Sequence, residues 1–179
     1  MSSPRCAIVH VHNFFYTHWF ILQWPSYADP ASTVESLVSA ARDGVVGVIH
    51  LIFTNLEMYY GKRLVSVVLA LLTVSKEGLS EKELEDIVSC QDDVLDDVYE
   101  WWTPPVRRLP PMLISRILYE LKTYLVERGT KDGSKVLYWY HRQFWQTSTA
   151  RYLSDDTFRK TVCVSIAGYF GVKIPKLPI

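Results

Sequence analysis

No glycine-rich loop followed by Lys-Ser or Lys-Thr occurs in these 179 residues, which removes the phosphate cradle of an NTPase from the chain. Gly61-Lys62-Arg63 does not replace it, because it lacks an upstream glycine at the required spacing and runs into an apolar stretch. Lys62 is expected instead as a solvated residue on the first turn of a helix. No serine stands in a nucleophile-elbow context, and Cys163 has no basic partner nearby in sequence, so covalent hydrolysis is not supported either. The chain alone is not expected to be an enzyme. Cysteine is scarce: Cys6, Cys90 and Cys163 are odd in number and far apart, which fits buried or incidental thiols in a reducing compartment better than a disulfide framework. A dominant charge is also missing, since 19 lysines and arginines balance 19 aspartates and glutamates, and nothing recruits nucleic acid, an anionic membrane or an acidic substrate over long range. There is no long hydrophobic run. Phe14 to Trp24 is apolar, but His18 and Gln23 interrupt it, and it falls short of the roughly 20 residues that span a bilayer. It lacks the small-residue cleavage site of a signal peptide, for which Arg5 is the one favourable feature. No membrane partner and a cytoplasmic location are the expectation.

What is present is enough apolar residue, 49% of the chain, to bury a substantial core. The composition predicts a leader over 1–31 of unassigned role, a helical domain over 32–170 and a tail over 171–179. The leader is rich in histidine and aromatics and ends in Pro25 and Pro30. Cys6, His10, His12 and His18 are possible metal ligands, but their spacing matches no tetrahedral pattern, so an irregular leader is preferred to a zinc site.

From Thr33 the periodicity is helical. Val34, Leu37, Val38 and Ala41 form one apolar face, and Ile49, Ile52, Phe53 and Leu56 another. Leu64 to Val74 is apolar almost all round, broken by Ser66 and Thr73, which predicts a buried central helix closed by Gly78. Ser80 and Glu83 have capping-box spacing, and Leu79 with Leu84 supplies the hydrophobic staple of a helix over Glu81 to Val88. Asp92 or Asp93 is expected to cap the next helix, with Val94, Leu95, Val98 and Trp102 inward until Pro104. Four prolines between Pro104 and Pro111 predict a stiff extended connector whose last pair suits a new helix start. That helix turns Leu113, Ile114, Ile117, Leu118 and Leu121 inward. Tyr124 to Arg128 and Lys135 to Tyr140 then read as strands joined by an Asp132-Gly133 turn with positive φ. A last helix from about Asp155 buries Phe158, Val162 and Ile166. The fold class is mainly α, and helices followed by one β-hairpin give winged-helix order.

The second strand, Val136-Leu137-Tyr138-Trp139-Tyr140, runs into a helix with His141 at the junction. The first N–H groups of a helix lack internal partners and carry the positive end of its dipole, so an imidazole there adds a donor toward an anion. The plainer alternative is that His141 caps the helix or bonds a carbonyl. Asp92, Asp93, Asp96 and Asp97 could suggest a cation site, but helix capping and a solvated face explain them more cheaply. Arg107, Arg108, Arg128, Lys131 and Lys135 make at most a modest basic patch, and the helix after Pro110 is too apolar at its start, with Met112, Leu113 and Ile114, to read a groove. Nucleic acid is not the expected partner.

Three segments together, Leu72 to Leu84, Asp96 to Pro111 and Tyr138 to Phe144, resemble the winged-helix region that follows the NACHT module in signal-transduction NTPases, above all in proteins that carry NACHT and WD-repeat domains, with nephrocystin-like relatives behind. The resemblance covers about Val34 to Tyr169. It implies a regulatory module that packs on an NTPase core, in cis or in a related protein, and oligomerises through such relatives. It also implies that His141, in the pattern aromatic (Trp139 or Tyr138), one residue, His, two residues, Phe144, touches the phosphate of bound ADP. ADP and ATP are then the cofactors of the longer protein only, and this chain is expected to be a fragment or truncated product. A stand-alone winged-helix adaptor for nucleic acid or protein is the alternative.

Overall fold

The computed structural model describes residues 30–172 apart from 101–103, 106 and 131–132, and the side chains of 30–34 and 172 are outside that description. The leader's Cys6, His10, His12 and His18, the apolar Phe14 to Trp24, and Trp102, Lys131, Asp132 and residues 173–179 therefore lie outside the described residues. Two compact units divide at Thr54 and Asn55. Among the described residues eight α-helices and one antiparallel hairpin follow in order: α1 Pro30–Arg42, α2 Gly44–Tyr60, α3 Lys62–Val74, α4 Glu81–Ser89, α5 Asp92–Val98, α6 Pro111–Leu121, a 3-10 turn Lys122–Tyr124, β1 Leu125–Gly129, β2 Lys135–Trp139, α7 Arg142–Tyr152 and α8 Asp156–Val172. No described helix is long and apolar enough to cross a membrane.

In the first unit the expected faces fare differently. Ile49, Ile52 and Phe53 of α2 are buried, as is Leu56 beyond the division. On α1, Val38 is 51% exposed and Leu37 and Ala41 are half-buried, so the α1 stripe is not a core face among the described residues. Periodicity marks which side of a helix is apolar; whether that side is covered depends on a neighbour that periodicity does not name.

The second unit is built around α3. An almost wholly apolar helix has no face it can leave wet, so it must be surrounded, and α3 packs against α4, α5, α7, α8 and β2. Leu64, Val65, Val68, Leu69, Ala70, Leu71 and Leu72 are all at 1% exposure or less. Lys62, exposed, sits on its first turn as expected. The helix stops earlier than Gly78, with Ser75 as its C-terminal cap. Gly78 acts elsewhere. At φ +81° it lets the chain double back, and a Cβ there would meet the Leu137 carbonyl oxygen at 2.8 Å. That close approach allows Leu79 to bridge β2, donating to Leu137 O at 3.2 Å and accepting from its N–H at 2.9 Å. A glycine read as a helix stop is thus the hinge that brings a third segment to the wing.

The next start is as the residues predict. The Glu83 N–H donates to Ser80 Oγ at 3.3 Å and the Ser80 N–H to Glu83 Oε2 at 2.9 Å, closing the capping box, while Leu79 and Leu84 are fully buried. For α5 the expectation fails. Gln91 is the residue before the helix and makes no side-chain cap, and Asp92 and Asp93 lie inside the first turn, where their charges favour the helix dipole without capping it. The helix also ends at Val98, short of the prolines. The connector beyond forms neither helix nor strand from Arg107 to Pro110, is extended at Pro110, and is tethered by Tyr99 OH donating to Arg108 O (2.6 Å) and by the Leu109 N–H donating to Ser89 Oγ (3.1 Å). Pro110 and Pro111 open α6, which buries Ile114, Ile117, Leu118 and Leu121 but leaves Leu113 half-buried and Met112 exposed.

The hairpin pairs Leu125 with Trp139 through Gly129 with Lys135. Its turn closes with the Thr130 N–H donating to Ser134 O (2.8 Å), and Gly133 takes φ +77°, the positive value that the turn requires. In α8, Val162 is fully buried, while Phe158 and Ile166 are half-buried. Cys90 and Cys163 are free and exposed, so these two thiols are incidental and not core residues.

Candidate functional site

The aromatic strand ends on Trp139, which is buried, and α7 begins at Arg142, with His141 as the residue before it. Two rings fix this junction from beneath. Phe144 stacks on Tyr124 at 4.5 Å between centroids and on Trp139 at 5.5 Å, so of the two aromatics upstream of the histidine it is Trp139 that packs with Phe144. Burying large rings on both sides of a short polar step holds the step at the surface. His141 is half-buried, its backbone is extended at φ −108° and ψ 135°, and its imidazole makes no capping bond to α7. The Tyr140 ring meets it edge-on at 4.3 Å.

Behind the junction runs a buried polar seam. Thr73, one of the two breaks in the apolar α3 sequence, donates its hydroxyl to Leu69 O (2.6 Å), lies 2.8 Å from Ser148 Oγ and accepts the Trp139 indole N–H at 3.0 Å. The Thr73 carbonyl accepts the Trp145 indole N–H at 3.0 Å. Two tryptophans that bracket His141 in sequence are therefore anchored to one residue of the central helix. A buried indole N–H such as that of Trp139 needs an acceptor, and Thr73 supplies one to it through its hydroxyl and a second, through its carbonyl, to the more exposed Trp145. That requirement was the signal available in the sequence, although no pattern links position 73 to 139 and 145.

At its other end α7 is held by charge. Glu57, in the last turn of α2, accepts from Arg151 Nε at 3.1 Å and Nη2 at 2.7 Å, and from the Tyr152 hydroxyl at 2.5 Å. Burial and the carboxylate beside it hold the Tyr152 phenol well above its ordinary range. Tyr152 stays a protonated donor at any ordinary pH.

Beside the seam lies a cleft of about 520 Å³ lined in part by Lys76, Tyr138, His141, Arg142, Trp145 and Arg159. The expected site residue thus faces an open space of ligand-sized volume. Lys76 and Arg159 carried no signal in sequence, being single cations in separate segments.

The other candidate chemistry dissolves. Arg107 pairs with Asp92 (3.5 Å) and Asp96, Arg108 with Glu85 (2.8 Å) and Asp86 (2.6 Å), and Lys135 with Glu127 (2.9 Å). Three of the five cations expected to form a basic patch are locally neutralised. Among the described residues no group of three or more His, Cys, Asp or Glu side chains could hold a metal, so Asp92 to Asp97 do not converge.

Residues 31–159 match the family model described as the NWD1-like, winged helix-turn-helix domain. The human NACHT domain- and WD repeat-containing protein 1 is 38% identical over 137 residues, 75% of this chain and 8% of that protein. Its mouse counterpart is 38% identical over 135 residues, and the human NACHT and WD repeat domain-containing protein 2 is 35% identical over 121 residues, 66% of this chain and 7% of its own length. The chain therefore spans less than a tenth of these relatives. No solved structure matches. A hairpin wing behind a buried helical core, with the family match extending over most of the described residues, establishes that this chain belongs to the NWD1-like winged helix-turn-helix domain family.

Proposed function

We propose that the chain is the regulatory winged-helix module of a NACHT-type signalling NTPase, and that His141 contacts the phosphate of ADP held by the NTPase core. A winged helix of this family is not itself a catalytic domain, and its work is to bias a conformational equilibrium. The observation that carries the reading is the placement of His141: it immediately precedes α7 and lines the cleft. An imidazole N–H and the unpaired N–H groups of a helix start suit a phosphate oxygen. ADP bound better by the closed arrangement holds that state, and exchange for ATP releases it to assemble, which is a population shift. The cis partner is the NTPase core, with related chains as assembly partners, in a cytoplasmic setting.

The test needs a protein that joins this chain to its NTPase core. His141→Ala is expected to lower ADP affinity about tenfold or more, the size of one charge-assisted contact, and ATP affinity less. Dissociation constants for both nucleotides, measured beside the melting temperature, decide it: equal losses for ADP and ATP would refute the sensor role. The nucleic-acid alternative loses support from the pairing of Arg107, Arg108 and Lys135 with carboxylates.

A further inference from the structure

The cleft before His141 is lined by four basic side chains, Lys76, His141, Arg142 and Arg159, and, among the described residues, by no aspartate or glutamate. In a chain whose charges balance overall, such a one-signed lining departs from the average. Elsewhere cations that meet find carboxylates, as Arg107, Arg108, Lys135 and Arg151 do, whereas no ion pair within 4 Å involves Lys76, Arg142 or Arg159 among the described residues. They come from three places: the turn after α3, the first residue of α7 and the first turn of α8. Only the fold brings them to one cleft. Like charges gathered without counter-charges repel, and their field concentrates anions in the cleft between them.

We infer that the cleft is a polyphosphate site in which Lys76, Arg142 and Arg159 supply the charge and His141 the aimed donor, so that it takes a diphosphate group in preference to a single phosphate. This deepens the nucleotide reading above and rests on it for the role of His141. One or two cations suffice for a single phosphate; a pyrophosphate group carries more charge over a longer span and can engage cations on several elements at once. A cleft of about 520 Å³ has room for such a group and for part of what it is attached to. The three cations are exposed, so their neutralisation leaves the packing intact.

The experiment is titration of the 179-residue chain with inorganic pyrophosphate and with inorganic phosphate at low salt. Pyrophosphate is expected to bind more tightly, and its affinity to fall as salt rises. The triple variant Lys76→Gln, Arg142→Gln, Arg159→Gln should bind pyrophosphate about tenfold or more weakly, each single change contributing about two- to fivefold, at an unchanged melting temperature. A control that removes the same charge elsewhere, Lys62→Gln, Lys82→Gln, Lys122→Gln, should stay within about twofold of the parent. The inference is overturned if the parent shows no saturable pyrophosphate binding, if the cleft triple binds like the parent, or if the control weakens as much. His141→Gln, measured alongside, separates the two readings. Loss with His141→Gln alone sinks the charge role and leaves the histidine; loss with the triple alone upholds the charge role and removes His141 from the pyrophosphate site, while the ADP-sensor role is decided separately by the nucleotide dissociation constants of the protein joined to its core.

Discussion

Arg107 and Arg108 are neighbours in sequence and both end in carboxylates, whereas Lys76, Arg142 and Arg159 are scattered along the chain and share one cleft that no carboxylate lines among the described residues. The first pair looks like a basic motif and is electrically quiet. The second set looks like nothing in the sequence and makes the anion-accepting surface. Adjacent cations on a connector lie within reach of Glu85 and Asp86 on α4 and of Asp92 and Asp96 on α5, so both are neutralised together. A site for an anion requires the opposite, cations delivered from several elements to a place that acidic side chains do not reach. Clustered charge in a sequence is thus a poor guide to charge in a fold.

The comparison can be pressed at four strengths. The largest effect is expected where a cation is both paired and shielded. Glu57→Ala leaves Arg151 and the Tyr152 hydroxyl without their carboxylate in a part-buried setting, and a loss of about 2 to 3 kcal/mol is expected, less than for a fully buried pair. Chemical denaturation of the 179-residue chain measures it, and a loss below about 0.5 kcal/mol would put this pair with the surface ones. Next is the seam that holds the cleft's back wall. Thr73→Val keeps shape but deprives the buried Trp139 indole and Ser148 of their partner, at about 2 kcal/mol; a neutral result would show that water replaces the hydroxyl.

A local contact gives the third test. Ser80→Ala removes the capping-box oxygen and should cost about 1 kcal/mol. If it exceeds Thr73→Val in the same denaturation assay, local chemistry outweighs the distant seam and the ranking is reversed. The smallest effect is reserved for the connector. Arg108→Gln breaks two solvent-exposed ion pairs and is expected to leave the melting temperature close to the parent's at physiological salt, because water and salt already screen them. A large drop would mean that the connector arginines hold the fold.

Much of the fold was legible because it rests on contacts a few residues long. The Ser80 to Glu83 box, the Pro110-Pro111 start, the positive φ of Gly133 and the all-round apolarity of α3 each depend on residues within one turn or one element. Where the residues mislead, the cause is local in one case and distant in the other. Asp92 and Asp93 are good cap residues by type, yet the helix begins at Asp92 itself with Gln91 before it, and a shift of one position turns caps into first-turn charges. Gly78 resembles a helix stop, but its function lies in the approach of Leu137, 59 positions on.

The candidate site divides in the same way. By itself the sequence determined that His141 stands where a strand meets a helix, because alternating aromatics and a helical period abut there. It also determined that three helical segments and a hairpin follow one another in winged-helix order. Only the tertiary structure decided that Thr73 anchors the tryptophans on either side of His141, that Arg107 and Arg108 are neutralised, and that Lys76 and Arg159 join His141 and Arg142 around one cleft. Periodicity and turn chemistry act through bonds that close within a few residues, and any chain with those residues makes them. The seam and the cleft exist because α3 is apolar on every side and must be surrounded, and what surrounds it is settled by packing between segments 60 to 80 residues apart.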